Sequence, residues 1–387
     1  MDFDFPGDDD PRRQTVRSWL EAHPTPTGRE LAEAGYVAPH WPEPWGLDAD
    51  PIHQILIDEE LEAAGVARPQ NMIGIGWAGP TILHAGTDAQ KQRYLFPLLA
   101  GEEIWCQLFS EPAAGSDLAN LGTRAVRDGD EWVVNGQKIW TSMAHHSAFG
   151  ILIARTDPDV PKHEGITYFV CPMDTPGIEI RPIIEMTGGH TFNEVFFDDV
   201  RILDENRVGP EHGGWALAKV TLGNERVSLS SGGALWGMGP AAEDLLDEVR
   251  ARGAGAVDPV VRDRLAAMHI EAELLRLIRL RTVTAAIRGE PPGPEASIRK
   301  ILADEHGQRI MAMAKDLAGP YGTVRGTGPF GAPDVHGWDF GYLFSQALTI
   351  GGGTGDVQRN ILAERVLGLP HDVDVETGRS WAASQRV

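Results

Sequence analysis

Apolar positions along this chain recur at two spacings, and the spacing changes twice. From residue 12 to about 101 the period is helical: Asp50-Pro51 opens a run with Ile52, Ile55, Leu56 and Leu61, and Asp88-Ala89-Gln90-Lys91 opens another that closes near Leu98-Leu99. The period then becomes two. Val126-Arg127-Asp128-Gly129-Asp130 reads as a hairpin turn, Trp132-Val133-Val134 as a strand and Asn135-Gly136 as a second turn, with further strands over 151–154, 166–171, 178–181 and 194–197. After Gly213-Gly214 helical spacing returns, over 264–288 with Leu265, Met268 and Leu275, and over 297–317 with Ile301, Ile310 and Met313. A last helix is predicted over 355–367, with Gly368 as its left-handed cap and Pro370 as a stop. The expectation is an α+β chain in three parts: an N-terminal helical domain over 1–103, a β domain over 104–210 and a C-terminal helical bundle over 211–387.

Charge and composition narrow the function classes. With 34 Lys+Arg against 56 Asp+Glu in 387 residues the net charge is −22, which argues against a nonspecific grip on nucleic acid or anionic lipid. Two cysteines, Cys106 and Cys171, make no disulfide framework, and Met1-Asp2-Phe3-Asp4-Phe5 has neither a basic nor an apolar leader region, so a cytoplasmic protein is expected. No apolar run approaches the ~18 residues of a membrane span. The acidic groups Asp8-Asp9-Asp10 and Asp372, Asp374, Glu376 are read as solvated ends. His145-His146 has no third ligand at a metal-site spacing, so no metal is expected. The spacing G-x-G-x-x-G occurs at Gly74, Gly76, Gly79 and at Gly326, Gly328, Gly331, but neither follows a strand and opens a helix, as a dinucleotide site requires.

Two blocks carry candidate chemistry. Leu108-Phe109-Ser110-Glu111-Pro112-Ala113-Ala114-Gly115-Ser116-Asp117 is a loop of small residues and hydroxyls that lets backbone approach a polar ligand. Gln137-Lys138-Ile139-Trp140-Thr141-Ser142 sets two hydroxyls behind a large aromatic, able to cover a planar ring and bond its polar edge. Together with Gly86-Thr87-Asp88-Ala89-Gln90-Lys91-Gln92-Arg93-Tyr94 and Phe192-Asn193-Glu194-Val195-Phe196-Phe197-Asp198-Asp199-Val200, their order and wording resemble the acyl-CoA dehydrogenase family over nearly the whole chain.

That resemblance implies an α–β–α subunit with a β-barrel-like middle domain and FAD in a cleft between it and the bundle. It implies that Gln107, Phe109, Ser110, Gly115 and Ser116 contact the flavin, with Ser116 also near the acyl-CoA. Trp140, Thr141 and Ser142 would cover the isoalloxazine ring, at the face where an electron-transferring flavoprotein docks. Many members place the catalytic glutamate in an E-G-T motif before the last helix, but here Gly352 stands in its place, in Ile350-Gly351-Gly352-Gly353-Thr354. The family's alternative, as in isovaleryl- and long-chain-type members, puts the glutamate just before an arginine on the first bundle helix. Glu225-Arg226 matches it, which makes Glu225 the expected base, with Arg226 and the Gly352 backbone as substrate contacts. Gly319, Thr354 and Asp356 fall where other flavin contacts lie, although Gly319-Pro320 and Asp356 depart from the usual residues. Such departures resemble heterotetrameric members acting on steroid side chains. The expected activity is α,β-dehydrogenation of an acyl-CoA by a homotetramer or heterotetramer. The alternatives are a structural partner subunit and an acyl-CoA oxidase-like flavoenzyme.

Overall fold

Helices of the N-terminal segment begin at side chains that close their free amides. The computed structural model describes residues 6–228, 234–236, 238–253, 255, 257–287, 293–294, 296–371, 373, 376 and 378–385. α1 (Pro11–Ala22) has proline in its first turn behind Asp10, whose carboxylate accepts the Arg12 N–H. α2 (Gly28–Glu33) opens with a capping box, Thr27 with Glu30, and α3 (Pro51–Ala63) repeats the aspartate–proline start with Asp50. A π turn over Gly74–Ala78 runs into α4 (Gly79–Ala85), and α5 (Asp88–Leu99) starts with a second capping box, Thr87 with Gln90. The first glycine-spaced motif is therefore helical, and it serves packing: a Cβ on Gly79 would stand 2.2 Å from the Trp41 ring. α1 is held to α3 by Arg13, 2.6 Å from both Glu59 and Glu60, and by Arg17, 2.7 Å from Glu60.

Strands β1 (Trp105–Leu108), β2 (Arg124–Asp128), β3 (Glu131–Ser142), β4 (Phe149–Arg155), β5 (Ile166–Pro172), β6 (Ile178–Pro182), β7 (Phe192–Leu203) and β8 (Arg207–Val208) form one sheet. Its order is β6-β7-β3-β2-β4-β5-β8, with β1 paired parallel to β4. β4 and β5 are buried along almost their whole length, which is why they read as continuous apolar runs, whereas β3 and β7 alternate. Leu108, Trp132, Leu152, Phe169, Val195 and Val200 lie in the resulting core. The first predicted turn is present: Asp128 pairs with Glu131 around Gly129-Asp130, with Gly129 at φ 63°.

Asn135-Gly136 is not a turn. It lies inside β3 at a register shift against β7, where the Asn135 side chain and Asp199 exchange two hydrogen bonds of 3.0 Å. A Cβ on Gly136 would meet the Thr123 hydroxyl oxygen at 2.5 Å, so glycine is needed there for a close approach at a bulge and not for reversal. β3 consequently runs on to Ser142.

The C-terminal tail returns to this sheet. Trp381 donates its backbone N–H to Val160 O at 2.8 Å, and its ring covers the Arg155 guanidinium at 4.8 Å. Arg155 in turn donates to the carbonyls of Ala119 (2.6 Å), Lys162 (3.0 Å) and Leu121 (3.2 Å). Glu376, expected at a solvated end, is paired with Lys162 at 3.0 Å, and Lys162 also holds Asp117 at 2.9 Å. Asp372 and Asp374 lie outside the described residues.

The chain divides into two compact units, one of residues 2–185, 189–224 and 373–387, the other of residue 1, 186–188 and 225–372. α6 (Gly214–Ser228) is divided between them at Asn224 and Glu225. In the second unit follow α7 (Ala242–Arg252), α8 (Pro259–Ile287), α9 (Ala296–Ala318), α10 (Trp338–Phe344) and α11 (Gly355–Ile361), the last prolonged by a π turn over Leu362–Val366. α8 and α9 run antiparallel, tied by Arg264–Asp316 at 2.8 Å and by Glu271 to His306 and Arg309 at 2.9 and 3.0 Å. Ile310, Met311, Met313 and Ala314 are the buried side of α9. Among the described residues no helix is long and apolar enough to cross a membrane.

Asp204, in the turn from β7 to β8, accepts from Trp132 Nε1 and from Arg207 Nε, both at 2.8 Å. The hydrogen bond from Arg207 leads in pulling its carboxyl down to about 2. A carboxylate whose folded pKa lies below its unfolded value stabilises the fold above that unfolded value, ~3.9, and loses the effect as pH falls toward the folded one. Asp204→Asn is expected to cost about 1 kcal/mol at neutral pH, allowing for solvent screening at this partly exposed site. Thermal melts of variant and wild type should converge between about pH 4 and pH 2; a gap that stays constant over that range would refute the assignment.

Candidate active site

A lysine inside β3 ties the two chemistry-bearing blocks together. Lys138 is fully buried, and its Nζ donates to Phe109 O at 2.9 Å and to Glu111 Oε1 at 2.8 Å. The Glu111 carboxylate also accepts the backbone N–H groups of Gly122 at 2.6 Å and Thr123 at 3.0 Å, and Ile139 N–H reaches Ser110 O at 2.9 Å. Burial pushes the Glu111 carboxyl up, but the charge and hydrogen bond of Lys138, the Gly122 amide and the Thr123 side chain outweigh it and hold it below the usual range. Burial draws the ammonium of Lys138 down, against the opposing pull of Glu111. Phe109, also buried, meets the Tyr168 ring edge-on at 6.0 Å.

Beyond Lys138 the strand slips. The β3–β7 register shifts between Lys138 and Thr141, and Trp140 at φ 60° leaves the ladder. Its ring is 57% exposed, steadied by an edge contact with Phe192 at 6.1 Å. Thr141 turns the other way, completely buried, and its hydroxyl has no hydrogen-bond partner among the described residues. A buried hydroxyl left unpaired costs roughly 1–3 kcal/mol. The exposed ring of Trp140 offers a flat face on which a planar heterocycle can stack. Ser142 ends the strand, paired with Phe192.

Of the other expected contacts in this unit, Gln107 lies in β1 opposite Ile151, Ser110 holds Ile139 through its carbonyl, and Gly115 and Ser116 stand exposed in the loop. A Cβ on Gly115 would meet nothing within 4 Å. The remaining residues belong to the second unit. Glu225 is a buried carboxylate on α6, 6% exposed, while the Arg226 side chain lies outside the described residues. Gly352 and Gly353 adopt φ of 68° and 91°, and Gly352 O accepts Gln358 Nε2 at 3.0 Å. Thr354 caps α11 by accepting the Val357 N–H at 3.2 Å. Asp356 is turned to solvent, 3.4 Å from Arg359, and Gly319 opens a short helical turn at φ 58°. Sequence reasoning quoted Lys138 and Glu111 but assigned them nothing. The available signal was a lone lysine at an inward position of an alternating strand.

The three stretches 10–102, 106–200 and 212–367 match the N-terminal, middle and C-terminal domain models of acyl-CoA dehydrogenases. Acyl-CoA dehydrogenase IpdE1 of Mycobacterium tuberculosis is 39% identical over 347 residues, 89% of this chain and 87% of its own. The chain belongs to the acyl-CoA dehydrogenase family. Acyl-CoA dehydrogenase FadE34 of Mycobacterium tuberculosis is 45% identical over 88% of this chain, which spans only 45% of that relative's length. Two solved structures share the fold over 96% of this chain and 100% of theirs. They are the Tcur3481-Tcur3483 steroid ACAD, at TM-score 0.79 and 29% identity, and the ChsE4-ChsE5 complex from Mycobacterium tuberculosis, at 0.77 and 31%. Acyl-CoA dehydrogenases are flavoproteins, and the exposed Trp140 ring offers a flat face that fits such a group.

Removing one partner of a buried pair leaves an uncompensated charge. Glu111→Gln is expected to cost about 3–5 kcal/mol in urea titrations, whereas Glu111→Gln with Lys138→Met should cost less than the single change. A double variant as unstable as the sum of both singles would show that the pair is not coupled.

Proposed function

We propose that the protein catalyses FAD-dependent α,β-dehydrogenation of an acyl-CoA thioester to the trans-2-enoyl-CoA, with Glu225 as the base. The exposed aromatic face of Trp140, turned out of the ladder at the slip in β3, carries the flavin part of this reading, in a chain whose family uses flavin. Gln107, Phe109, Ser110, Gly115, Ser116 and Trp140–Ser142 would hold the cofactor on the sheet side. Gly319, Thr354 and Asp356 are assigned to the same cofactor. The domain limits 1–103, 104–210 and 211–387 belong to the same reading. FAD, when bound, supplies the two-electron acceptor for the β-hydride.

The residues of the chain must then do the rest. Glu225 takes the α-proton, a role that asks for a carboxylate held out of bulk water, and its burial supports it. Gly352 offers no carboxylate, so its part is a backbone N–H toward the thioester oxygen, where negative charge develops as the proton leaves. Arg226 and Ser116 complete the substrate contacts. Because an acidic chain repels a polyanionic CoA at long range, such contacts have to be local. Electrons pass on to an electron-transferring flavoprotein across the face that bears Trp140, in the cytoplasm.

The two structural relatives whose names join two chains, one of them a steroid ACAD, support a tetramer with a related chain and a steroid-like acyl group over a simple homotetramer. Glu225→Gln should retain flavin and acyl-CoA binding but lose at least ~10²-fold in turnover, read as bleaching of the flavin and reduction of an artificial one-electron acceptor. Turnover near wild type would sink the assignment of Glu225. Oxygen uptake in place of acceptor reduction would make the protein an oxidase.

A further inference from the structure

Arg155, the last residue of β4, is buried, and it spends its protons on the stretch that follows Ser116. Nη2 donates to Ala119 O at 2.6 Å and Nε to Leu121 O at 3.2 Å, while the backbone N–H of Arg155 reaches Thr123 O at 2.7 Å. A buried charge is tolerable only if its surroundings are complete. Nη1 donates to Lys162 O at 3.0 Å, and the guanidinium sits over the Trp381 ring at 4.8 Å. Trp381 opens a helical turn, Trp381–Ser384, that is pinned beside the sheet by its own N–H on Val160 O at 2.8 Å and the Ala382 N–H on Pro158 O at 2.9 Å. The same turn grips Asn120 twice: Trp381 Nε1 donates to its carbonyl at 3.3 Å and Gln385 Nε2 to its side chain at 2.6 Å. Lys162 adds a third link, bridging Asp117 at 2.9 Å and Glu376 at 3.0 Å. All of these residues lie in one compact unit.

The loop from Phe109 to Gly122 is thus held at both ends. Lys138 and Glu111 hold its start, and Arg155, Lys162 and the turn at Trp381 hold residues 117–121. Gly115 and Ser116 stand exposed between these anchors, and a Cβ on Gly115 would meet nothing within 4 Å, so their place is set by the ends. We propose that the stretch 378–385, latched to Lys162 through Glu376, is a strap that positions Gly115 and Ser116 for the cofactor, with Trp381 as its principal positioning residue. This rests on the reading that these two exposed residues contact FAD.

Flavin-free protein titrated with FAD and followed by flavin fluorescence, together with hydrogen exchange of the free protein, tests the strap. Trp381→Ala is expected to speed amide exchange over 117–122 while the rest of the sheet is unchanged, and to weaken FAD about 5–10-fold, as for a loop in place only about a tenth to a fifth of the time. Trp381→Phe, which keeps a ring over Arg155, should restore most of both. Exchange that quickens evenly across the sheet, or equal behaviour of the two variants, overturns the proposal. Gly115→Leu, whose side chain enters open space in the free protein, tests the contact with FAD itself and should weaken binding at least ~10-fold. If it does so while Trp381→Ala binds as wild type does, the strap fails and the flavin reading of the loop stands. If Gly115→Leu binds FAD normally, that reading fails and takes the proposal with it. Should Trp381→Ala not fold, Lys162→Met, which releases Asp117 and Glu376, is expected to quicken exchange over 117–122 and weaken FAD about 2–3-fold; the absence of either change overturns the proposal.

Discussion

The ion pair between Lys138 and Glu111 is the constraint on which the geometry from Phe109 to Ser142 depends. An ammonium buried in a strand is tolerable only if its charge and its protons are met, and Lys138 meets a carboxylate and a carbonyl within 2.9 Å. Both oxygens of Glu111 are in turn engaged, one by Lys138 and Thr123 and the other by Gly122. One pair thereby joins the loop from Phe109, the turn into β2 and the middle of β3. Such a pair contributes little net stability over an apolar replacement, so what it confers is geometry. The pair holds the start of the loop that carries Ser110, at Phe109 and Glu111.

From that anchor the next three residues follow. Lys138 fixes β3 on one side of the slip and the pairing of Thr141 with Asn193 fixes it on the other. Between them Trp140 has to accept a left-handed backbone at φ 60°, which costs a non-glycine residue of order 1–3 kcal/mol and persists only where the surroundings dictate it. At that position Trp140 leaves the ladder with its ring exposed, while Thr141 next to it is buried.

What could be read in the chain beforehand was whatever local chemistry decides. The helix starts at Asp50-Pro51 and Asp88 were legible because caps act within four residues, and β4 and β5 because burial on both faces leaves an uninterrupted apolar run. Asn135-Gly136 misled because a hairpin turn and a bulge ask for the same backbone freedom, and Asp199, which decides between them, is 64 residues away. Glu376 misled for a similar reason: its partner Lys162 is 214 residues distant, and Trp381 was the one local hint that the tail has an apolar anchor. The blocks around Phe109 and Trp140 were visible as wording. The burial of Lys138 was not, since a strand lysine faces water in most sheets.

The glycine run before α11 bears on where the reaction's base can sit. A glutamate at 352 would have to take φ near 68°, a conformation that side chains rarely adopt and that costs about 1–2 kcal/mol. A side chain at 351 is blocked outright, because its Cβ would lie 2.7 Å from the Trp236 ring, and at 353 it would press on the Gln358 amide at 2.6 Å. The amide of Gln358 also spends one N–H on the Gly352 carbonyl, which holds the run in this shape. In this chain the loop is therefore built to present backbone and not a carboxylate. On the proposed chemistry the α-proton still needs an acceptor, and the proposal assigns it to Glu225, a buried carboxylate of the same unit.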